Sequence, residues 1–305
     1  KVNPKYYLAA AGPPVFLDPD LIEINFQKES TFPRAPEFLQ YLSKYPKTSQ
    51  IHCEELIPGE SLDLTTGRID KNIDLRKKID SFESYVTNYA TDYQDYFSKN
   101  HSKFSSDKVE ILYNELSKIL IAKLENFSLH DRITRPLYLG TSEFQDDWIR
   151  IDFSKKKIER TSSIYEDTYY SIQMPGWQLS RAVSGDITWE DMMLTLRGTI
   201  NRKPDVYQTL VIGFMVMEIE DLNPMCDYLL ELEQRSDRIV VEAGGTLFSV
   251  DKFCPHQGTD LSEGVIRDDR YLICPKHRWE YDLWTDGICL SSNETINAVI
   301  LEPDS

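Results

Sequence analysis

Hydrophobic residues recur at every third or fourth position in two stretches of the first half of the chain. The apolar positions of the first stretch are Leu75, Ile79, Phe82, Val86, Tyr89, Tyr93 and Phe97. Those of the second stretch are Val109, Leu112, Tyr113, Leu116, Leu120 and Leu124. This spacing places the side chains on one face of a helix. The pattern therefore predicts two long amphipathic helices whose apolar faces serve packing.

The pattern changes to short runs of the β type between about residues 146 and 184. The runs are WIRIDF, KIERT, TYYSIQM and WQLSRAV, and charged or Gly/Pro turns separate them. Such runs predict a small antiparallel sheet. Earlier in the chain, residues 5–17 predict a strand that is broken by the AGPP turn at Ala11 to Pro14.

Helix-start signals follow this predicted sheet. Thr188, with Asp191 three residues later, is suited to cap a helix over WEDMMLTLRGTI, and Asp205 is suited to cap VYQTLVIGFMVM. A third helix is predicted at about 223–235. Beyond it, RIVVEA and TLFSVDKF flank a turn at Gly244 and Gly245 and predict a hairpin. We place a domain boundary near residue 236, which divides the chain into residues 1–236 and 237–305.

Composition narrows the classes of function. The chain has 34 basic and 50 acidic residues, a formal charge of −16, which argues against nucleic-acid or anionic-membrane binding outside a local basic patch. No apolar run is long enough to span a bilayer, and the first residues lack the features of a secretory signal. Five cysteines, an odd number, favour a reducing compartment. We therefore expect a soluble, cytoplasmic protein.

Two short loops near the C-terminus combine cysteine with histidine. Cys254 and His256 form C-x-H, and after seventeen residues Cys274 and His277 form C-x-x-H. Two thiolates and two imidazoles can hold a structural zinc ion, or a [2Fe–2S] cluster with the thiolates on one iron and the imidazoles on the other. Zinc sites usually pair like ligands, as in C-x-x-C with H-x(3–5)-H, whereas here each loop supplies one of each type. The spacing favours the cluster.

The segment from Cys254 to Gly287 resembles the Rieske family, whose pattern is C-P-H-x-G, L-x-x-G, C-P-x-H-x-W, D and T-x-G. The resemblance implies an all-β Rieske domain, with Cys254 and Cys274 on one iron and His256 and His277 on the other. Arg278 departs from the family, which usually has glycine after the second histidine. Gly258 and Gly264 permit tight loops, and the aromatic residues expected to cover the cluster are Trp279, Tyr281 and Trp284.

Stretches of the first 225 residues resemble a second family. YYLAAAGPPVFLDPD, LIPGESLDL and LTLRGTINRKPDVYQTLVIGF are similar to the C-terminal half of the metallo-β-lactamase-fold part of the CMP-N-acetylneuraminate hydroxylase family. That family also contains a Rieske domain, which there comes first. The resemblance implies a mixed α+β chain: a partial metallo-β-lactamase-like (α/β/β/α) domain with a helical and small-sheet extension, followed by the Rieske domain.

The metal motif of that fold, H-x-H-x-D-H, does not occur in this sequence. Outside the two loops the histidines are His52, His101 and His130, each isolated in the sequence, and a structural role is expected for all three. Catalytic ligands, and with them a further iron or zinc, would lie upstream of Lys1, which is the preferred alternative, or would not exist. The catalytic residues are unknown. Four cationic residues are candidates to bind an anionic substrate: Arg181, Arg197, Arg202 and Lys203. Residues of this type more often lie at the surface and are solvated.

Three hypotheses of function follow from these features. In the first, the chain is part of a monooxygenase or hydroxylase, in which a reductase or ferredoxin supplies electrons and the cluster relays them to a metal that activates dioxygen for a small-molecule substrate. In the second, the chain is an electron-transfer module on a non-catalytic scaffold. In the third, it is a metallo-hydrolase with an accessory cluster. The first is preferred, because fusing donor and acceptor raises their effective concentration.

Overall fold

The structure, a computed structural model, describes residues 4–9, 14–27, 34–44, 51–101 and 106–301, without the side chains of residues 100, 106 and 107. The chain has mixed α/β structure and divides into two compact units, Lys1–Lys103 and Phe104–Ser305. Among the described residues, none of the helices has the length and apolar character needed to cross a membrane.

The first unit is built from short elements. Strands β1 (Tyr6–Ala9) and β2 (His52–Glu55) pair in parallel, and β3 (Ser61–Leu62) and β4 (Ile69–Asp70) form a small antiparallel pair. Its helices are α1 (Ala35–Ser43), α2 (Ile73–Ile79), α3 (Phe82–Asp92) and α4 (Gln94–His101). Of the strand predicted over 5–17, only β1 is seen, and the AGPP turn lies outside the described residues except for Pro14.

The long helix predicted from Leu75 to Phe97 is wrong, because three helices, α2 to α4, occupy this stretch. Asp80 ends α2, Ser81 precedes α3, and Tyr93 ends α3. Side chains such as Asp and Ser compete with helical backbone hydrogen bonds and favour helix ends. Only one residue of α3, Val86, is buried, so little packing opposes the breaks.

A five-stranded mixed sheet forms the centre of the second unit. Its order is β7-β6-β5-β8-β9, with β5 and β8 parallel and the other pairs antiparallel. The strands are β5 (Leu137–Thr141), β6 (Trp148–Asp152), β7 (Lys157–Thr161), β8 (Tyr169–Met174) and β9 (Thr199–Lys203). The accompanying helices are α5 (Ser106–Glu125), α6 (Gly176–Val183), α7 (Trp189–Leu194), α8 (Thr209–Val216) and α9 (Ile219–Gln234). Sheet and helices share a core that includes Leu116, Leu120, Leu139, Ile172 and Phe214.

Three of the four predicted strand runs are strands, and the amphipathic stripe from Val109 to Leu124 lies on one helix, α5. The fourth run, WQLSRAV, is the helix α6, because its buried residues Leu179 and Ala182 are three positions apart and so share a helical face. The sheet is also not purely antiparallel, since the parallel neighbour of β8 is β5, a strand not recognised in the sequence.

The helix-start predictions are partly confirmed. The Thr188 hydroxyl accepts a hydrogen bond from the Asp191 amide and caps α7, but this helix ends at Leu194, and the β-branched residues Thr199 and Ile200 join β9. Asp205 does not cap α8, which begins at Thr209; its carboxylate pairs with Arg202 instead.

The C-terminal part is rich in short strands. One sheet has the order β10-β11-β16 and consists of β10 (Arg238–Ala243), β11 (Thr246–Asp251) and β16 (Val299–Ile300). The other contains β12 (Val265–Arg267), β13 (Tyr271–Ile273), β14 (Glu280–Asp282) and β15 (Ile288–Cys289). These strands enclose their own hydrophobic core, with Phe248, Val250, Leu261 and Tyr281 at its centre. The domain boundary near residue 236 stays a prediction.

Candidate metal centre

The two Cys/His loops have the same backbone hydrogen bonding. In the loop after β11, the Cys254 amide donates to the Thr259 carbonyl (2.8 Å) and the Gly258 amide donates to the Cys254 carbonyl (2.8 Å). In the loop after β13, the Cys274 amide donates to the Trp279 carbonyl (2.8 Å) and the Arg278 amide donates to the Cys274 carbonyl (3.1 Å). The loops therefore match residue for residue, although the histidine is third in one and fourth in the other.

The fifth residue of each loop adopts a left-handed backbone conformation. The φ angle is 63° at Gly258 and 62° at Arg278. Glycine reaches this region freely, whereas a residue with a Cβ atom is disfavoured there by about 1–2 kcal/mol. The position that departs from the Rieske pattern thus keeps the glycine conformation while carrying an arginine.

The two thiols lie inside the protein. Cys254 is 1% exposed and Cys274 is fully buried. The Tyr281 hydroxyl lies 3.0 Å from Cys254 Sγ. Burial raises the pKa of the Cys254 thiol to about 11, with a smaller contribution from the neighbouring Cys274. A thiolate at this position needs a compensating positive charge, which a metal ion supplies.

The two imidazoles lie together beside an indole. The His256 ring stacks on Trp279 with centroids 4.1 Å apart and planes 5° from parallel, and the His277 centroid is 4.9 Å from that of His256. His256 Nδ1 is buried and has no hydrogen-bond partner among the described residues. Burial, and then the nearby His277, lower the pKa of His256 to about 4. His256 is therefore a neutral imidazole with a lone pair available for a metal.

Two of the three aromatic residues expected around the cluster are in contact with its predicted ligands. Trp279 stacks on His256, and Tyr281 reaches Cys254. Trp284 differs: it is 48% exposed, and its ring packs edge-on against Phe248. The structure does not support its predicted role as cluster cover, because Trp284 lies beyond the end of β14 and packs against Phe248 of β11 instead of a proposed ligand.

Tyr207 is a neighbour of the site that the sequence analysis missed. Its ring meets His256 edge-on at 5.8 Å and Trp279 at 5.6 Å between centroids. A backbone hydrogen bond from the Tyr207 amide to the Ser291 carbonyl (3.0 Å) holds it against the C-terminal strands. No local motif marks this residue, because it is nearly fifty positions from the first loop.

The remaining histidines have protein partners. His130 Nδ1 lies 2.9 Å from the Phe153 carbonyl oxygen, and the His52 ring packs against Tyr6. In the first unit, His101 lies between two carboxylates, with Nε2 3.3 Å from Asp18 and Nδ1 3.6 Å from Asp20. Because each nitrogen faces a different carboxylate, the three side chains form a group that could hold a metal ion. The sequence analysis did not predict this grouping.

The four cations considered for an anionic substrate lie on different elements. Arg202 on β9 pairs with Asp205, and Arg197, before β9, lies over the Trp177 ring at 5.4 Å. Arg181 is exposed on α6, and Lys203 is exposed at the end of β9. The described residues thus provide Arg197 and Arg202 with partners inside the chain, so the predicted anion site gains no support.

Comparisons with known proteins identify the C-terminal part. Residues 214–299 match the Rieske [2Fe-2S] domain. A putative Rieske 2Fe-2S iron-sulfur protein of Mycolicibacterium smegmatis is 24% identical over 312 residues, which cover 96% of this chain and 57% of that protein. Two shorter matches each span 45 residues, which are 15% of this chain. Cholesterol 7-desaturase of Drosophila melanogaster is 40% identical, and the match covers 10% of that protein. The ferredoxin component of the Xanthobacter autotrophicus alkene monooxygenase system is 36% identical, and the match covers 37% of that protein. No solved structure gives a significant match.

The chain therefore contains a Rieske [2Fe-2S] domain, and its cofactor is a [2Fe-2S] cluster, as the loop pattern predicted. This outcome favours the cluster over the zinc alternative. The matches lend no support to the metallo-β-lactamase part of the predicted fold or to the CMP-N-acetylneuraminate hydroxylase family. The chain spans about 57% of the length of the Mycolicibacterium protein.

Proposed function

We propose that this chain carries single electrons within an oxygenase reaction, and that Cys254, His256, Cys274 and His277 hold its cluster. The residues fit this group, because the two thiols are buried next to each other and His256 offers a buried nitrogen that has no partner among the described residues. A bound Rieske cluster supplies one-electron chemistry at a potential raised by its two neutral imidazole ligands.

The main support for the electron-transfer proposal is that the proposed histidine ligands are less buried than the proposed cysteine ligands. Both cysteines are buried, whereas His256 is half-buried and His277 is exposed. An electron leaving through an imidazole therefore has a short path to the surface, and the thiolate side is kept away from water. His277 is the proposed exit, because its side chain is the one that a docked partner can touch.

Residues around the site orient and tune the proposed ligands. Trp279 fixes the plane of His256 by stacking, and Tyr207 limits its rotation from the edge. The Tyr281 hydroxyl is placed to donate a hydrogen bond to the Cys254 thiolate. Hydrogen bonds to cluster sulfur stabilise the reduced, more negative state and so raise the potential.

The oxygenase part of the proposal rests on the relatives. One short match is a component of an alkene monooxygenase system, and another is a cholesterol desaturase. We propose a reductase or ferredoxin as electron donor and a metal centre outside the described residues as acceptor. A metallo-β-lactamase-like first domain, preceded by the ligands of that centre, remains the preferred arrangement.

Electron paramagnetic resonance on dithionite-reduced protein, with iron, zinc and sulfide counted in the same sample, tests the assignment of ligands. We expect a rhombic Rieske signal with about two irons per chain, lost in Cys254→Ser and retained in Cys289→Ser, a buried cysteine outside the two loops. Retention of the signal in Cys254→Ser would contradict the assignment.

Oxygen consumption by the full-length protein with a chemical reductant tests the oxygenase part separately. Iron beyond the cluster, together with reductant-dependent oxygen uptake, would support a hydroxylase. A full-length protein that exchanges electrons but contains only cluster iron would be a carrier, and the oxygenase half of the proposal would be wrong.

A further inference from the structure

A cavity of about 650 Å³ lies in the second unit beside the first cluster loop. Its walls come from the C-terminal part of α9, from the start of α8, and from the segment 293–297. Phe253 and Pro255, which flank Cys254, complete the wall nearest the cluster. The volume is sufficient for a small organic molecule.

The cavity is lined by apolar side chains and by residues with buried hydrogen-bond acceptors. The apolar residues are Leu129, Ile133, Leu210, Leu229, Leu232 and Phe253. Among the polar wall residues, Glu294 accepts a hydrogen bond at Oε1 from the Thr209 hydroxyl at 3.0 Å. Its second oxygen, Oε2, is buried without a partner among the described residues, and so is Oε1 of Gln208. A buried acceptor without a donor destabilises the protein. A ligand that donates hydrogen bonds to these two oxygens removes this cost, which increases its affinity.

The cations that line the cavity are engaged with groups other than Glu294. Arg132 pairs with Glu233 at 2.5 Å. Arg235 lies 4.9 Å above the Phe253 ring, and its guanidinium is 3.5 Å from Glu231. Of the other acidic residues in the wall, Glu233 and Asp251 pair with arginines and Asp237 is exposed, so Glu294 has the buried carboxylate oxygen that a ligand can pair with.

We propose that this cavity binds a small organic cation, an ammonium head on an apolar body. The head donates hydrogen bonds to Glu294 Oε2 and Gln208 Oε1, and the body lies against the leucine side chains. This inference goes beyond the proposed electron transfer, since it assigns a ligand to a site that holds none of the proposed cluster ligands. It also replaces the anionic small molecule expected from the sequence with a cationic one.

Tyr207 joins the cavity to the cluster site. It lines the cavity, and its ring plane is nearly perpendicular to the rings of both His256 and Trp279. A ligand that displaces or orders Tyr207 changes the surroundings of His256, so we expect binding to alter the g values of the reduced cluster.

Calorimetric titration of the oxidised holoprotein tests the proposal without any electron donor, so its outcome does not depend on the proposed electron transfer. The probes are phenethylammonium, phenethyl alcohol and hydrocinnamate, which share a phenyl body and differ in the charge of the head. We expect phenethylammonium to bind at least about tenfold more tightly than the alcohol, and hydrocinnamate to bind most weakly.

Variants assign the head-group contacts. Glu294→Gln and Gln208→Leu should each weaken phenethylammonium binding, the first by about tenfold or more. Glu220→Gln removes an exposed carboxylate of α9 that does not line the cavity, and affinity should stay within about twofold. The cluster signal reports folding of every variant. Absence of saturable binding, equal affinity for the alcohol, or an unchanged affinity in Glu294→Gln with an intact cluster would each overturn the proposal.

Discussion

Arg278 has a backbone conformation that favours glycine, and its side chain is exposed. We expect Arg278→Gly to raise the free energy of unfolding by about 0.5–1 kcal/mol, because the penalty for a Cβ atom in the left-handed region exceeds the extra entropy of glycine in the unfolded chain. Urea unfolding of the holoprotein measures this change.

Lys156 provides the control for the Arg278 variant. It has a φ of 48° in the turn between β6 and β7, outside the cluster loops. Lys156→Gly should give a similar gain in stability and leave the reduction potential unchanged. A loss of stability in Arg278→Gly alone would mean that the arginine side chain, and not the backbone, decides the stability of the loop.

His277 is the proposed ligand whose exchange changes the charge of the cluster. A cysteine there replaces a neutral imidazole with an anionic thiolate, so we expect His277→Cys to lower the reduction potential by roughly 100 mV or more. Because His277 is exposed, the first unit and the hydrophobic core should be unaffected. Voltammetry and circular dichroism measure the two effects. An unchanged reduction potential in His277→Cys would show that His277 is not a cluster ligand. Cys289→Ser is the control variant, and its potential should equal that of the wild type.

Patterns in the sequence predicted those structural features whose contacts lie between residues close together in the chain. The two cluster loops could be recognised because their hydrogen bonds close within six residues, and the stripe of α5 could be recognised because its positions fall on one helical face. Tyr207 could not be found in this way, since its contacts with His256 are made across the fold. The breaks between α2 and α4 were missed because the apolar spacing continues through Asp80 and Ser81 without a change.

Helix α5 carries a lysine on its buried face. Lys123 is fully buried; its Nζ donates to the Met215 carbonyl at 3.3 Å and lies 4.2 Å above the Trp189 ring. Burial lowers its pKa to about 7 from an ordinary value of 10.5. Between these two pH values the unfolded chain binds a proton that the folded protein releases, so Lys123 makes stability rise with pH by up to about 1.4 kcal/mol per unit.

Lys123→Met should abolish this contribution. We expect the variant to be more stable than the wild type at pH 7, by about 1–3 kcal/mol, with the difference shrinking towards pH 9. Denaturant unfolding at both pH values measures it. Lys118→Met, at an exposed position of the same helix, should leave the pH dependence as it is. A difference that does not change between pH 7 and 9 would show that the Lys123 amine has a normal pKa in the fold.

The whole molecule is strongly acidic, but the exposed end of the second cluster loop is not. The chain has a formal charge of −16, while Lys276 and Arg278 flank His277 at the surface. We propose that this local patch guides an acidic electron donor toward the proposed electron exit, while the net charge of the chain repels it elsewhere.

Neutralising and reversing the charge of Lys276 tests this orientation. Lys276→Gln should slow reduction of the cluster by an acidic ferredoxin at low salt, and Lys276→Glu should slow it further, by about tenfold or more. Stopped-flow kinetics at several ionic strengths measure the rates. Lys118→Glu changes the same charge on α5 and should have little effect. Equal slowing by both glutamate variants would indicate a response to net charge alone.

The matching backbone hydrogen bonds of the two cluster loops bear on how the protein acquires its iron. Each loop is closed by main-chain contacts of its own, from Cys254 to Thr259 and from Cys274 to Trp279, and none of these contacts uses a ligand atom. We therefore expect the loops to keep their conformation when iron is removed. The free energy of binding iron and sulfide then does not have to offset a loss of conformational entropy in the loops. Cluster assembly then requires no folding of the loops. We expect the protein to bind a new [2Fe-2S] cluster after repeated cycles of chemical removal and reconstitution.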